Sequence, residues 1–270
     1  MQNVPEILGI IAGSGVYPAA MAAGARRAGV ARVAVAAFVD ETDPALESSI
    51  EAWEWLKVGQ LGKLSKFFQR HGVKQAVMCG QIAPKNLFAL SPDLRLLMML
   101  ARLKERNAET LFGGIADELA KDGITLLPAV SFLEDHLPAA GHLYGPVRKP
   151  KELLDVVFGL KIARETSRLD IGQTVVVRRG TVLAVEAFEG TNECIKRGGS
   201  MGKGKATVVK VSKPNQDFRF DVPVVGPKTI ETAAAAGILV LAIEAGRTLL
   251  LEKEETARLC DQFNITLVAV

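Results

Sequence analysis

Cysteine is scarce: the 270-residue chain has three, Cys79, Cys194 and Cys260, far apart and odd in number. No Cys-x-x-Cys pair occurs, which argues against a disulfide framework or structural zinc and fits a reducing cytoplasm. Histidine is equally sparse, and His71, His136 and His142 show no metal-ligand spacing. A metal would therefore be held by oxygens, which points to Mg²⁺ or Mn²⁺ rather than zinc. No uninterrupted apolar run reaches the ~18 residues of a membrane span, and the first residues lack the pattern of a secretory signal. The formal charge is only +3 and no dense Lys/Arg run appears, so nucleic acid is not an expected partner. A Gly-x-Ser-x-Gly elbow is missing too, which leaves Ser/His/Asp chemistry without support.

What is present is ordinary for a soluble globular protein, 49% hydrophobic and 23% charged, and long enough for two domains of moderate size. In the first half, the strand-like runs EILGIIA, RVAVAAF, AWEWLKV and KQAVMCG alternate with helical stretches such as YPAAMAAGARRAG and LGKLSKFFQRHG. That alternation predicts βαβ units and a Rossmann-like parallel sheet covered by helices. Two further helical stretches follow, Pro92 to Arg106 and Glu109 to Asp122, then a short strand ITLLP. SFLEDHLPAAGHLYGPVRKP, rich in glycine and proline and without a period, reads as the interdomain connection. Beyond it a helical stretch, a hairpin turning at Arg179-Gly180 and closely spaced strands predict a second α/β domain with a mixed sheet. The expected boundaries are 1–131 for the first domain, 132–149 for the linker and 150–270 for the second.

Two turns follow strands of the first half. In IAGSGVYP, Gly13, Ser14 and Gly15 stand between a strand and a helix, where backbone N–H groups attract phosphate. Asp40 lies beyond the second strand, where a ribose-binding acid belongs in dinucleotide folds, but Pro18 stands where the NAD fingerprint asks for glycine or alanine. A tight turn without a ligand explains the same residues. CGQIAPKN offers Gly80, Gln81, Lys85 and Asn86 at the same edge of the sheet.

GSMGKGKA matches a phosphate-binding loop except for Ala206, which replaces the hydroxyl that holds magnesium. A helix precedes it and a strand follows, the reverse of the required order, so it is rejected as a nucleotide motif. AVEAFEGTNECIKRGG places Glu186 and Glu189 at a strand end, then Thr191 and Asn192 opening a helix that either could cap. An inward-facing Glu186 would need a cation, since an unpaired buried carboxylate costs several kcal/mol.

KPNQDFRFDVPVVG packs Asp217, Arg219 and Asp221 into five residues. If extended, the three share one face and Phe218, Phe220 and Val222 the other. That arrangement suits an arginine-bridged carboxylate pair holding a metal and a phosphate, or a merely solvated strand face. Lys213 opens the stretch, and Lys228 and Thr229 follow in the first turn of a helix starting near Pro227. LFALSPDLRLLMMLARL is the most apolar helical region; Pro92, Asp93 and Arg95 exclude a spanning segment. Core or dimer contact explains it, and so does a surface that meets acyl chains or a bilayer.

Taken in order, LGIIAGSGVYP, CGQIAP, VLAVEAFEGTNECIKRGG, VKVSKPNQDFRFDVPVVGPKTIE and AAAAGILVLAIEAGRTLLL are similar to the LpxI-type UDP-2,3-diacylglucosamine pyrophosphatases. The resemblance spans nearly the whole chain. It implies hydrolysis of UDP-2,3-diacylglucosamine to lipid X and UMP with Mg²⁺ in lipid A synthesis, with water attacking the β-phosphorus. A homodimer is implied as well, cytoplasmic or in transient contact with the inner face of the inner membrane. Asp221 and Asp217, with Glu189, Glu186 and Asn192, become the expected metal ligands, and Arg219 the phosphate clamp. Gly13, Ser14, Gly15, Gly80, Gln81, Thr191, Lys213 and Thr229 become expected substrate contacts. Asn192 stands where the family pattern has aspartate, which removes one negative charge from that position. The alternatives are an NAD(P)- or nucleotide-binding oxidoreductase and a non-catalytic lipid- or nucleotide-binding protein.

Overall fold

The computed structural model describes residues 4–82, 92–105, 108–214 and 216–270. The chain divides into two compact units, Met1–Leu133 with Asp217–Asp221, and Glu134–Gln216 with Val222–Val270.

The first unit is built on β1 (Ile7–Ala12), β2 (Arg32–Phe38), β3 (Ala52–Leu56), β4 (Gln75–Cys79) and β5 (Thr125–Leu126). All four neighbouring pairs are parallel, in the order β3-β2-β1-β4-β5. β1 and most of β2 are buried throughout, which is why both read as continuous apolar runs. The helices are α1 (Tyr17–Arg27), α2 (Leu61–Arg70), α3 (Leu94–Arg102) and α4 (Ala108–Lys121). Leu64, Phe67 and Phe68 of α2, Leu96 and Met99 of α3 and Leu119 of α4 join Ile11, Ala34 and Ala36 of the sheet in one core. Beneath α3, Arg95 donates from Nε to Glu118 at 3.0 Å and also pairs with Asp122, which accepts in addition from Ser65 of α2. One guanidinium thus ties three helices through groups that are mostly removed from water.

The second unit has a six-stranded sheet of β6 (Gly141–Tyr144), β7 (Thr174–Arg178), β8 (Thr181–Val185), β9 (Ala206–Lys210), β11 (Ile238–Ile243) and β13 (Thr266–Ala269). Its order is β6-β13-β11-β9-β7-β8; β9, β11 and β13 run parallel, and β6, β7 and β8 supply antiparallel pairs. β10 (Val224–Val225) and β12 (Leu249–Leu250) form a small parallel pair. Alternation along β7 sends Val176 to one core, with α6 (Thr191–Gly202), α7 (Pro227–Ala235) and α8 (Lys253–Gln262). Val175 and Val177 go to the other face, with α5 (Leu154–Arg168). The hairpin turns where expected, with Arg179 at φ 49° and Gly180 at φ 71°, both left-handed as a two-residue hairpin turn requires. Asp155 accepts from both of their N–H groups, at 2.7 and 2.8 Å.

Both units are α/β, with a parallel and a mixed sheet as expected, but three local readings differ. The stretch read as a connection contains β6, an edge strand too short to show a period. α8 and β13 close the chain, where the sequence reading separates no elements. Residues 217–221, read as part of the second domain, cluster with the first unit. The phosphate-loop lookalike is the end of α6, as its order implied. A Cβ at Gly199 would lie 2.3 Å from the Ala236 carbonyl oxygen, and one at Gly202 2.6 Å from the Ala206 Cβ. Those glycines serve close packing rather than a ligand.

Candidate functional site

In the first sheet, chain order reverses between β1 and β4. Ligands of open α/β sheets bind at such a switch point, at the carboxyl ends of the strands. The two glycine turns meet there. Gly13 N–H donates to the Cys79 carbonyl at 2.8 Å, Ser14 N–H to Gln81 at 2.7 Å, and Gln81 N–H back to Ser14 at 3.3 Å. Ser14 Oγ donates to the Gln81 carbonyl at 2.9 Å. A Cβ at Gly13 would sit 2.5 Å from the Gln81 oxygen, and one at Gly80, where φ is +90°, 2.7 Å from the Gly13 carbonyl carbon. Both glycines are thus required by the approach of one turn to the other. The Ser14 and Gln81 amides are spent on each other, and the first turn of α1, which follows Gly15, has no side-chain cap. Gly15 has open space on its side-chain side. Asp40 is exposed at the end of β2. Lys85 and Asn86 lie outside the described residues.

Asp217–Asp221 belongs to this unit. It is a turn and not the extended strand that alternation predicts: the Asp217 carbonyl accepts from Phe220 N–H at 3.2 Å and Asp221 N–H at 3.0 Å. The cause is Asp217, whose Oδ1 accepts from Arg219 N–H two residues on at 3.0 Å, the local bond by which aspartate favours turns. The Arg219 side chain closes on the same carboxylate, with Nε 3.0 Å from each oxygen and Nη2 2.6 Å from Oδ2. This guanidinium holds the Asp217 carboxyl below the usual range, and Arg219 is raised in return, with Asp117 adding to it. Asp221 is half-buried one turn on. The segment is fastened by the Phe218 carbonyl, which accepts from Ala129 N–H at 2.6 Å, and by Phe220, whose ring lies 5.5 Å from that of Phe112 on α4.

Phe220 also lines a cavity of about 850 Å³, open mouth included. The walls are apolar, from Ile11, Leu64, Leu96, Phe112 and Ile115, and reach Gly13 and Gly80 at the switch point. Alternation places Phe220 on the face opposite the charges and shows no cavity; the sequence signal for one is the apolar face of α4, whose Leu111, Phe112 and Ile115 line it at helical spacing.

The other expected site residues lie in the second unit. Glu186 is inward-facing: Oε1 accepts from Thr191 Oγ1 at 3.0 Å, and Oε2 is buried without a hydrogen-bond partner. Thr191 therefore does not cap α6, which begins after Gly190 at φ 83° without a side-chain cap. Glu189 is engaged by Arg197, whose hydrogen bond is the main cause that lowers its carboxyl, and by Ala187 N–H at 3.0 Å. Asn192 is half-buried in the first turn of α6, and Thr229 occupies the first turn of α7. The Lys213 ammonium pairs with Asp170. Lys210, which the sequence reading overlooks, ends β9 as a buried ammonium and donates to the Val224 carbonyl at 3.3 Å. A lysine terminating the apolar run ATVVK was the available signal.

Among the described residues no three His, Cys, Asp or Glu side chains gather around one position. That arrangement excludes an all-protein cage there, not Mg²⁺, which is commonly held by one or two carboxylates and substrate phosphate oxygens. Asp217 already accepts from Arg219 at both oxygens, and Asp221 is the second carboxylate of this segment.

The model of the LpxI N-terminal domain matches residues 7–136 and that of the LpxI C-terminal domain residues 139–268. Over 274 aligned positions the chain is 32% identical to the UDP-2,3-diacylglucosamine pyrophosphatase LpxI of Caulobacter vibrioides, covering 97% of each. With both domain models matched in order and a relative aligned end to end, the chain belongs to the LpxI family.

Proposed function

We propose that this protein hydrolyses the pyrophosphate bridge of UDP-2,3-diacylglucosamine to lipid X and UMP, with Mg²⁺, as a step of lipid A synthesis. One observation carries the reading: a single five-residue turn holds Arg219 in a fixed orientation beside Asp221 in sequence, while its Phe220 lines an apolar cavity. The substrate has the same two characters, a doubly charged bridge and acyl chains. The name of the Caulobacter relative supports the same reaction.

A bridge bearing two negative charges repels an incoming nucleophile. Arg219 has five N–H donors, and Asp217 takes only those of Nε and one from Nη2. The remainder are assigned to phosphoryl oxygens, where their hydrogen bonds strengthen as charge builds. The salt bridge to Asp217 fixes the plane of the guanidinium, so its orientation is set before substrate arrives. Asp221 is assigned to orient the attacking water and would contribute an oxygen to Mg²⁺. When bound, Mg²⁺ would supply neutralisation of the substrate's negative charge and activation of water. Attack at the β-phosphorus leaves the bridging oxygen on UMP and places the oxygen of water on lipid X. The cavity is assigned to acyl chain, held by apolar burial at roughly 25 cal/mol per Å². A homodimer in the cytoplasm goes with this reading; sedimentation velocity tests the assembly.

The test is UMP release from UDP-2,3-diacylglucosamine by purified protein, with Mg²⁺ and with EDTA. Release that depends on Mg²⁺ is expected. No release under any metal condition sinks the reaction, and release unaffected by EDTA sinks the metal.

A further inference from the structure

α3 is apolar on two faces. Its inner face, Leu96 and Met99, is buried in the core of the first unit. On the other side Leu94, Leu97 and Met98 are 71%, 49% and 49% exposed, and Ala101 is exposed as well. Positions 94, 97, 98 and 101 follow the i, i+3, i+4, i+7 spacing of one helical stripe, so the outer stripe is contiguous. Scattered exposed leucines are unremarkable on a protein surface, but a continuous stripe on a helix already packed underneath is not.

Basic side chains gather at the carboxyl-terminal end of this stripe. Arg102 ends α3 with its side chain 69% exposed, and Lys104 is exposed two residues on. Lys121 of α4 joins Arg102 and Arg95 around Glu118, whose side chain is only 12% exposed. Arg95 is also held by Asp122, and Glu105 is exposed beside Lys104, so the cations that face solvent at this margin are Arg102, Lys104 and Lys121. An apolar stripe with a cationic margin is the pattern of a helix that lies in the interface of an anionic bilayer.

A second copy of the chain fits the stripe less well. With 9 residues, α3 is about 14 Å long and about 10 Å wide. That footprint, on the order of 140 Å², is far below the roughly 800 Å² per partner of a stable interface. A bilayer needs no such area, because its attraction to basic groups acts across the surface.

We propose that the outer face of α3 seats the protein on an anionic phospholipid surface, with Leu94, Leu97 and Met98 at the acyl boundary and Arg102 and Lys104 at the headgroups. The proposal rests on the acyl-bearing substrate assigned above. α3 also supplies Leu96 to the cavity wall from its opposite face, so one short helix adjoins both the bilayer and the chamber assigned to an acyl chain.

The experiment is co-sedimentation of the full-length protein with vesicles of phosphatidylglycerol and phosphatidylcholine, and with phosphatidylcholine alone, at low and high salt. Wild type should bind the anionic vesicles and lose most of that binding in high salt. The double variant Leu97→Glu, Met98→Glu should lose at least tenfold in partitioning. Its turnover of detergent-dispersed substrate should be unchanged, because neither side chain lines the cavity. Arg102→Gln with Lys104→Gln should weaken binding to anionic vesicles several-fold and abolish its salt dependence. Leu94→Gln, at the most exposed position of the stripe, should weaken partitioning several-fold, and it stands in for the double variant if that one is not stably folded. Equal partitioning of wild type and the α3 variants overturns the proposal, as does a wild type that ignores anionic vesicles. So does a change of oligomeric state in the leucine–methionine variant, which would make the stripe a contact between copies. Vesicle binding is read without substrate, so an inactive protein that binds would refute the proposed reaction and leave this surface standing.

Discussion

Arg219 and Asp217, two residues apart, bind each other through backbone and side chain at once: the arginine N–H and Nε each lie 3.0 Å from Asp217 Oδ1. The pair converts an alternating sequence into a turn and fixes the guanidinium. Since the hydrogen bond from Arg219 is the main cause that lowers the Asp217 carboxyl, its contribution to stability has a defined sign with pH. It is fully present above the unfolded value of about 3.9 and is lost as pH falls through the depressed folded value. Arg219→Ala should therefore be less stable than wild type at pH 7, with the gap between the two narrowing as pH falls below about 3.9. Carbon-13 NMR of the Asp217 carboxyl should show its titration move up in the variant; an unmoved titration contradicts the assignment.

Asp221→Ala should lower turnover by roughly a thousandfold, the scale of losing a group that acts on the transition state. The melting temperature should stay within a few degrees of wild type. A variant that melts much earlier instead would identify Asp221 as a structural group of the turn.

Phe220→Ala removes one wall of the cavity and an aromatic pair worth about 0.5–1.5 kcal/mol. For a long-chain substrate KM should rise up to roughly tenfold, while a substrate analogue lacking acyl chains should show little change. Equal effects on both would detach the cavity from acyl binding.

Gly80→Ala places a methyl group 2.7 Å from the Gly13 carbonyl carbon at a φ of +90°. Strain of this kind costs about 1–3 kcal/mol, before the displacement of the facing turn. Thermal unfolding should show a clear drop, and Gly72→Ala, equally left-handed but with nothing within 4 Å, should show a smaller one.

The sequence disclosed the parallel sheet because β1, β2 and β4 are buried runs separated by helices whose apolar period is plain. It disclosed the hairpin because Arg179-Gly180 can adopt left-handed backbone at both central positions. It did not disclose β6, four residues at a sheet edge, whose pairing with β13 spans more than a hundred residues. The motif at 217–221 was legible in composition and misread in geometry. Strict alternation of charge and aromatic favours a strand, but the carboxylate of Asp217 reaches Arg219 N–H and bends the chain first. Nor could pattern alone show that Gly13 and Gly80 answer to each other, because that demand exists only once β1 and β4 lie side by side.

Because Asp217–Asp221 is part of the first unit while its flanks are part of the second, the boundary between the units is crossed three times along the chain rather than once. A gene cut after residue 133 would therefore not yield two self-sufficient pieces. The amino-terminal product would lack the carbonyl that receives Ala129 N–H and the ring that sits against Phe112. The carboxyl-terminal product would carry five residues whose lodging is elsewhere. Split this way, the amino-terminal product should be fully ordered only when residues 217–221 are supplied.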